Sequence, residues 1–191
     1  MIWKRPLDLA LGIPFAVAAA PIILVLCAFV TFVSGWPPLI VQTRVGAGER
    51  PIRVVKLRTM RVGVPTVAKS DLLSSPGLPD KPYISGGRFL RAASLDELPQ
   101  IYNVLIGSMS LVGPRPALPS QEDLLTLRRA HDVTALRPGI TGLAQINGRE
   151  ALSLATKVRF EAHYRRHASL GLDLAILFKT ARAIVSGRGA Y

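Results

Sequence analysis

Leu9-Ala10-Leu11-Gly12-Ile13-Pro14-Phe15-Ala16-Val17-Ala18-Ala19-Ala20-Pro21-Ile22-Ile23-Leu24-Val25-Leu26-Cys27-Ala28-Phe29-Val30-Thr31-Phe32-Val33 contains no charged residue, and Lys4 and Arg5 stand just in front of it. About 20 apolar residues suffice for a helix to cross a bilayer, so this stretch places the chain in a membrane. A signal peptide would have a shorter apolar core ending at a small-residue cleavage site. Ala18-Ala19-Ala20 imitates such a site, but apolar sequence continues straight through it. Pro14 and Pro21 interrupt the pattern in another way. A proline within a helix removes one backbone hydrogen bond and crowds the carbonyl four residues back, which kinks the helix. Ala20-Pro21 lies near the middle, where a bend could return the chain to the face it entered. Arg44, Arg50 and Arg53 follow the segment, so both flanks are basic and neither reads as an outside. A spanning helix and a re-entrant hairpin both fit these residues.

Outward from this segment, the chain is small and basic. Its 191 residues allow one domain with a real core, and 24 Lys and Arg against 12 Asp and Glu give a net charge of +12. Such an excess favours nucleic acid, an anionic membrane surface or phosphorylated small molecules. Aromatic residues make up only 6%, and no zinc, RNP or leucine-zipper pattern occurs, so nucleic acid is not an expected partner. An anionic phospholipid surface and phosphate compounds are. The single cysteine, Cys27, lies within the apolar segment, which excludes a disulfide framework and a thiolate metal site.

After the turn Gly35-Trp36-Pro37-Pro38, residues 39–42 and 52–60 read as short strands, the second ending in Lys56-Leu57-Arg58-Thr59-Met60. Trp3 and Trp36 suit the headgroup level on either side of the apolar segment. Residues 62–87 form a Gly, Pro and Ser-rich loop, and Gly86-Gly87-Arg88-Phe89-Leu90-Arg91 leads out of it. A helix is expected from about Asp96 to Ile106, a polar helix from Ser120 to His131 with Ser120 and Asp123 at capping-box spacing, and two more over 152–167 and 170–185. The last is rich in Leu and Ile yet basic near its end, as an interfacial helix would be.

Phosphate chemistry is written in three places. Ser94-Leu95-Asp96-Glu97-Leu98-Pro99-Gln100 puts two carboxylates side by side. Ser94 and Glu97 also match a capping box, but that register would put Pro99 where its missing N–H should be bonded. Starting the helix at Asp96 removes the conflict and makes Asp96 the cap. Gly113-Pro114-Arg115-Pro116 holds a guanidinium on a stiff turn, well suited to pyrophosphate. Arg137 to Arg149 is a Gly-rich turn with a basic residue at each end and Gln145 inside it. His163 and His167 have the spacing of a metal pair but sit among Tyr164, Arg165 and Arg166, as a basic interfacial face would. Asp173, alone in the last apolar helix, reads as a salt-bridge or cap residue.

Four ordered motifs, Lys56 to Met60, Gly87 to Gln100, Val112 to Pro116 and Arg137 to Arg149, with Lys4-Arg5-Pro6-Leu7-Asp8 before them, make the chain resemble the monotopic phosphoglycosyl transferases, the bacterial sugar transferase family. The resemblance implies an α/β, mostly helical, membrane-embedded fold with an N-terminal re-entrant helix, short strands and amphipathic interfacial helices. Residues 1–36 would be the re-entrant helix and 37–191 the catalytic part, integrated as one domain on the cytoplasmic face of the bacterial inner membrane. It further implies transfer of a phospho-sugar from a UDP-sugar to polyprenyl (undecaprenyl) phosphate with release of UMP, as the first membrane step of glycoconjugate assembly. Asp96 would be the nucleophile, and Asp96 and Glu97 would hold Mg²⁺. Arg115 would bind phosphate, with Lys56, Arg58, Thr59, Arg88, Arg91, Arg137, Gln145 and Arg149 as further substrate-binding groups and Ala20-Pro21 as the bend. Many relatives carry Ser-Pro at that bend, and an acidic residue where this chain has Ser108. The chain also resembles the minimal catalytic form, without the extra N-terminal membrane region of larger relatives. Two rival readings stay open: a membrane-tethered basic module binding lipid or nucleic acid without catalysis, and a glycosyltransferase that leaves UDP.

Overall fold

A computed structural model describes residues 1–64, 82–148 and 151–186. The first helix, α1 (Lys4–Ser34), is assigned without interruption across Pro14 and Ala20-Pro21. Among the described residues it is the one helix long and apolar enough to cross a membrane. Its two ends are embedded in the rest of the protein while most of its middle, Ala19 apart, is bare. Val30 is fully buried with Leu57, Ile84 and Leu90, and Gly12 lies against Ile101, Val104 and Leu105. Val17, Leu24 and Val25 remain about 70% exposed, an arrangement that water would penalise and lipid would not.

Strands β1 (Leu39–Val45) and β2 (Pro51–Leu57) form an antiparallel hairpin in which Leu39 faces Leu57 and Gln42 faces Val54. The first extends past the apolar run expected over 39–42, because pairing with β2 holds Thr43 and Arg44 extended as well. The second stops before Arg58, whose backbone N–H is taken by Pro38. Then follow α2 (Gly87–Ala92), a 3₁₀ segment over Leu95–Gln100 and α3 (Ile101–Ile106). Strands β3 (Ser110–Val112) and β4 (Gly139–Thr141) pair in parallel, with α4 (Glu122–Ala130) in the crossover between them. Their backbones approach so closely at Gly113 and Gly139 that a Cβ on either would strike main-chain atoms. The chain ends in α5 (Leu143–Ile146), α6 (Leu154–His167) and α7 (Leu170–Val185). It is a mostly helical α/β protein with short strands. The 62–87 loop lies largely outside the described residues.

Two capping expectations are corrected. Ser94 adopts φ 57° and its side chain caps nothing, so neither the Ser94–Glu97 box nor an Asp96 cap forms. Glu97 spends its carboxylate on distant cations, and Pro99 sits in the 3₁₀ turn, ahead of the α-helix proper. Nor does Ser120 cap α4: that helix starts after Gln121, whose Oε1 accepts from the Leu118 N–H.

α1 is fastened at its N-terminal end by buried polar contacts. Lys4 Nζ donates to the Val112 carbonyl at 2.5 Å and to Asp173 at 3.3 Å. Tyr164 Oη donates to Asp173 Oδ1 at 2.6 Å, and Trp3 Nε1 reaches Oδ2 at 3.2 Å. Trp3 thus bonds to protein where a headgroup contact was expected. Asp8 Oδ1 accepts from Ser110 Oγ and the Leu111 N–H, tying the helix to β3. Arg5 takes the last carbonyls of α3, Val104 and Leu105, where cations favour a helix end. At the other end of α1, Arg58 holds the carbonyls of Ser34 and Gly35.

Candidate active site

The elements converge on a cavity of about 420 Å³. The hairpin supplies Lys56, α2 supplies Arg88 and Arg91, the 3₁₀ turn supplies Asp96 and Glu97, and the turn after β3 supplies Arg115. Asn103, fully buried, sets the register between the carboxylates and the hairpin. Its Oδ1 accepts from the Val55 N–H and its Nδ2 donates to the Arg53 carbonyl at 2.6 Å, so α3 docks along β2 as a further strand would. Ser108 satisfies the Asn103 amide and carbonyl with its hydroxyl.

The adjacent carboxylates have opposite surroundings. Glu97 Oε1 accepts from Lys56 Nζ at 3.1 Å and from Arg115 Nη2 at 2.8 Å. Burial works to raise its pKa, but Arg115 and Lys56 outweigh it and hold the carboxyl well below the usual range. Asp96 is 8% exposed, faces the cavity, and among the described residues its side chain has no hydrogen-bond or ion-pair partner. Burial, with the Glu97 charge adding to it, pushes this carboxyl up to about 6, despite Lys56, Arg91 and Arg115. Lys56 is itself pushed down by burial, partly offset by Glu97. One carboxylate is locked and the other is available.

Arg115 is aimed from behind. Arg128 donates to the Arg115 carbonyl at 2.9 Å while its guanidinium forks onto Glu161 at 2.6 and 2.8 Å. Arg44 reaches the Pro116 carbonyl at 3.4 Å. Arg88 and Arg91 both lie over the Tyr83 ring, 5.4 and 5.6 Å from its centroid. Among the described residues, the cavity lining holds five cations (Lys56, Arg88, Arg91, Arg115 and Lys157) and three carboxylates (Asp96, Glu97 and Glu161). Glu97 and Glu161 are neutralised by their own partners, leaving a cation-lined pocket around one open carboxylate, which suits a phosphorylated ligand.

Of the residues expected in the site, Asp96, Glu97, Lys56, Arg88, Arg91, Arg115 and Gln145 line the cavity. Arg58, Thr59 and Arg137 do not. Arg58 is buried at the end of α1, Thr59 is buried beside it, and Arg137 is exposed. Arg149 lies outside the described residues. Sequence reading passed over Tyr83, Lys157, Glu161, Thr141 and Thr180, which reach the cavity from distant segments. No group of three or more His, Cys, Asp or Glu side chains is placed for a metal among the described residues, and His163 and His167 stack on one another. Phe15 of α1 and Ile184 of α7, respectively 46% and 55% exposed, also line the cavity, which therefore reaches the flank of the apolar helix.

The sequence model of the bacterial sugar transferases matches residues 1–187. The exopolysaccharide production protein ExoY of Sinorhizobium fredii is 36% identical over 201 residues, covering 100% of this chain and 88% of that relative. The undecaprenyl-phosphate galactose phosphotransferase of Salmonella typhimurium is 37% identical, covering 98% of this chain but 41% of its own length. A UDP-glucose:undecaprenyl-phosphate glucose-1-phosphate transferase of Caulobacter vibrioides is 36% identical, covering 98% of the chain and 72% of the relative. With a match over nearly its whole length, the chain belongs to the bacterial sugar transferase family.

Proposed function

We propose that the protein transfers a sugar 1-phosphate from a UDP-sugar to undecaprenyl phosphate, releasing UMP. The observation that carries this reading is Asp96: a buried carboxylate without a hydrogen-bond or ion-pair partner among the described residues, open to a cation-lined cavity. In the first step an Asp96 oxygen attacks the β-phosphorus of the donor. The bond from that phosphorus to the bridging oxygen breaks, and UMP leaves. In the second step a phosphate oxygen of the lipid attacks the same phosphorus, the Asp96–phosphorus bond breaks, and the free carboxylate returns with a sugar diphospholipid as product. Splitting the transfer lets a water-soluble donor and a lipid acceptor use one site in turn.

Arg115, Arg88, Arg91 and Lys56 neutralise the donor's phosphates, and the Arg128–Glu161 fork keeps Arg115 aimed. Two adjacent carboxylates fit Mg²⁺, which binds through one or two carboxylates with phosphates and water completing its shell. Asp96 and Glu97 would hold it. The chemistry such an ion supplies is withdrawal of charge from the phosphate oxygens.

α1 enters and leaves the membrane on the same, cytoplasmic face of the bacterial inner membrane. This monotopic, re-entrant reading is supported by the fastening of both helix ends to one domain, through Lys4, Arg5 and Asp8 at one and Arg58 at the other. The lipid acceptor approaches past Phe15 and Ile184, where the cavity meets the apolar flank. Purified protein in lipid, given Mg²⁺, undecaprenyl phosphate and a panel of UDP-sugars, should release UMP with at least one donor. Release of UDP would make it an ordinary glycosyltransferase, and salt-sensitive lipid binding without any nucleotide release would make it a binding module.

A further inference from the structure

Two cations of the cavity wall are held by no carboxylate. Arg88 and Arg91 both line the cavity, and neither has an ion-pair partner among the described residues. Lys56 and Arg115, by contrast, spend their charges on Glu97. What Arg88 and Arg91 share is the Tyr83 ring, whose centroid lies 5.4 and 5.6 Å from their guanidinium carbons. Arg91 has one further contact, an N–H donated to the Met60 sulfur at 3.4 Å. The quadrupole of an aromatic ring attracts a cation without neutralising it, so both charges remain available to an anion.

The ring is fixed by the backbone on which it stands. The Arg61 N–H donates to the Pro82 carbonyl at 2.9 Å and the Ile84 N–H to the Thr59 carbonyl at 3.2 Å. Met60 and Tyr83 thereby face each other in an antiparallel bridge. Gly87, the first residue of α2, lies so close to the Thr59 carbonyl that a Cβ there would strike it. The short segment from Thr59 to Arg61 therefore anchors both the ring and the helix that carries the two arginines. Arg88 and Arg91, at i and i+3, project from one face of α2, and that helix carries no acidic residue to separate them. Like charges so placed repel. A phosphate between them removes the repulsion and accepts charge-assisted hydrogen bonds from both. Arg91 also acts to lower the Asp96 pKa against burial, so it lies within electrostatic reach of the reacting carboxylate.

We infer that Tyr83 is a positioning residue: its ring gathers Arg88 and Arg91 on one wall of the cavity so that both meet the diphosphate of the donor. This rests on the UDP-sugar reading above and adds to it the residue that aims two of its cations. The ring carries the effect, since the Tyr83 hydroxyl makes no hydrogen bond among the described residues. Without the ring, an exposed side chain such as Arg88 regains its rotamer freedom and must be ordered by the ligand instead.

The test measures UMP release by the full chain in lipid nanodiscs with Mg²⁺, undecaprenyl phosphate and a turned-over UDP-sugar. Tyr83→Leu, which removes the ring, should lower kcat/KM about tenfold, the combined effect of two cation–ring contacts. Tyr83→Phe, which keeps the ring, should stay within about twofold of the wild type. A purely structural role would be independent of the arginines, and a double-mutant cycle separates the two. In an Arg88→Gln background only the Arg91 contact is left to lose, and Tyr83→Leu should then cost about threefold. Inorganic pyrophosphate, a probe that needs no turnover, should bind wild type and Tyr83→Phe alike and Tyr83→Leu more weakly. Wild-type kcat/KM in Tyr83→Leu overturns the inference, and so does a loss that persists undiminished in the Arg88→Gln background. An equal loss in Tyr83→Phe moves the effect to the hydroxyl and overturns it too. If the wild type releases no UMP from any donor, the UDP-sugar reading falls, and the pyrophosphate series alone decides whether the ring aims the arginines.

Discussion

Two buried aspartates, Asp173 and Asp96, each lie near a lysine, with different outcomes. Around Asp173, both carboxylate oxygens are engaged, by Tyr164, Lys4 and Trp3, and none of these residues lines the 420 Å³ cavity. Around Asp96, two of the three attracting cations bond its neighbour, Lys56 and Arg115 both on Glu97. A carboxylate buried with partners fastens elements together, here α1, α6 and α7. One buried without partners against a cavity is a destabilised group awaiting a ligand. Asp8 sharpens the point, since its Oδ2 also has no partner among the described residues but it does not line the cavity, and its Oδ1 carries the bonds to β3.

The largest effect should come from neutralising the open carboxylate. Asp96→Asn is expected to lower UMP release by about a thousandfold or more, with membrane association unchanged in a flotation assay. The same substitution should stabilise the protein. The folded pKa of Asp96, about 6, lies above its ordinary 3.8, so the ionised form is disfavoured in the fold. The cost is fully present above pH 6, shrinks as pH falls and vanishes below about 4. Asp96→Asn should therefore gain on the order of 1–3 kcal/mol at pH 7 by chemical denaturation and nothing at pH 4. The closed cluster should respond in the opposite sense. Asp173→Ala leaves Lys4 buried without its counter-charge and should cost about 3–5 kcal/mol of stability, with activity lost only as far as folding is. A variant that stayed as stable as wild type would erase the distinction between the clusters.

A smaller effect tests how the open site is held. Arg128→Lys keeps the charge facing Glu161 but loses the fork that also reaches the Arg115 carbonyl. It should lower kcat/KM about tenfold, on the order of 1.4 kcal/mol, while preserving the melting temperature within a few degrees. Smallest, the acidic limb of kcat/KM should have an apparent pKa near 6, because protonated Asp96 cannot attack phosphorus. A limb near 4 would mean that Asp96 is not held as the geometry requires.

Much of this contrast can be read from sequence where the determinants are local. The unbroken apolar run gives α1, the periodic apolar residues of 170–185 give α7, and Asp96-Glu97 with Arg115 on its proline-flanked turn gives the centre of the site. Reading fails where partners are remote. β3 and β4 are three-residue strands among Gly and Pro, and only their pairing across 29 residues identifies them. Glu161 and Arg128 are ordinary helix residues until the fold closes them on the Arg115 carbonyl. The Lys56-Leu57-Arg58-Thr59 motif names the right chemistry without saying that the strand ends at Leu57, leaving Arg58 to take the end of α1.

The most direct test of the central claim, that Asp96 is the reacting group, is intact-protein mass spectrometry with peptide mapping after incubation with a turned-over UDP-sugar and Mg²⁺ in the absence of lipid acceptor. One phospho-sugar per protein is expected, located on the peptide carrying Asp96, formed with stoichiometric UMP and discharged by added undecaprenyl phosphate. UMP release that requires the acceptor and leaves the protein unmodified, or a label on any other residue, would contradict it.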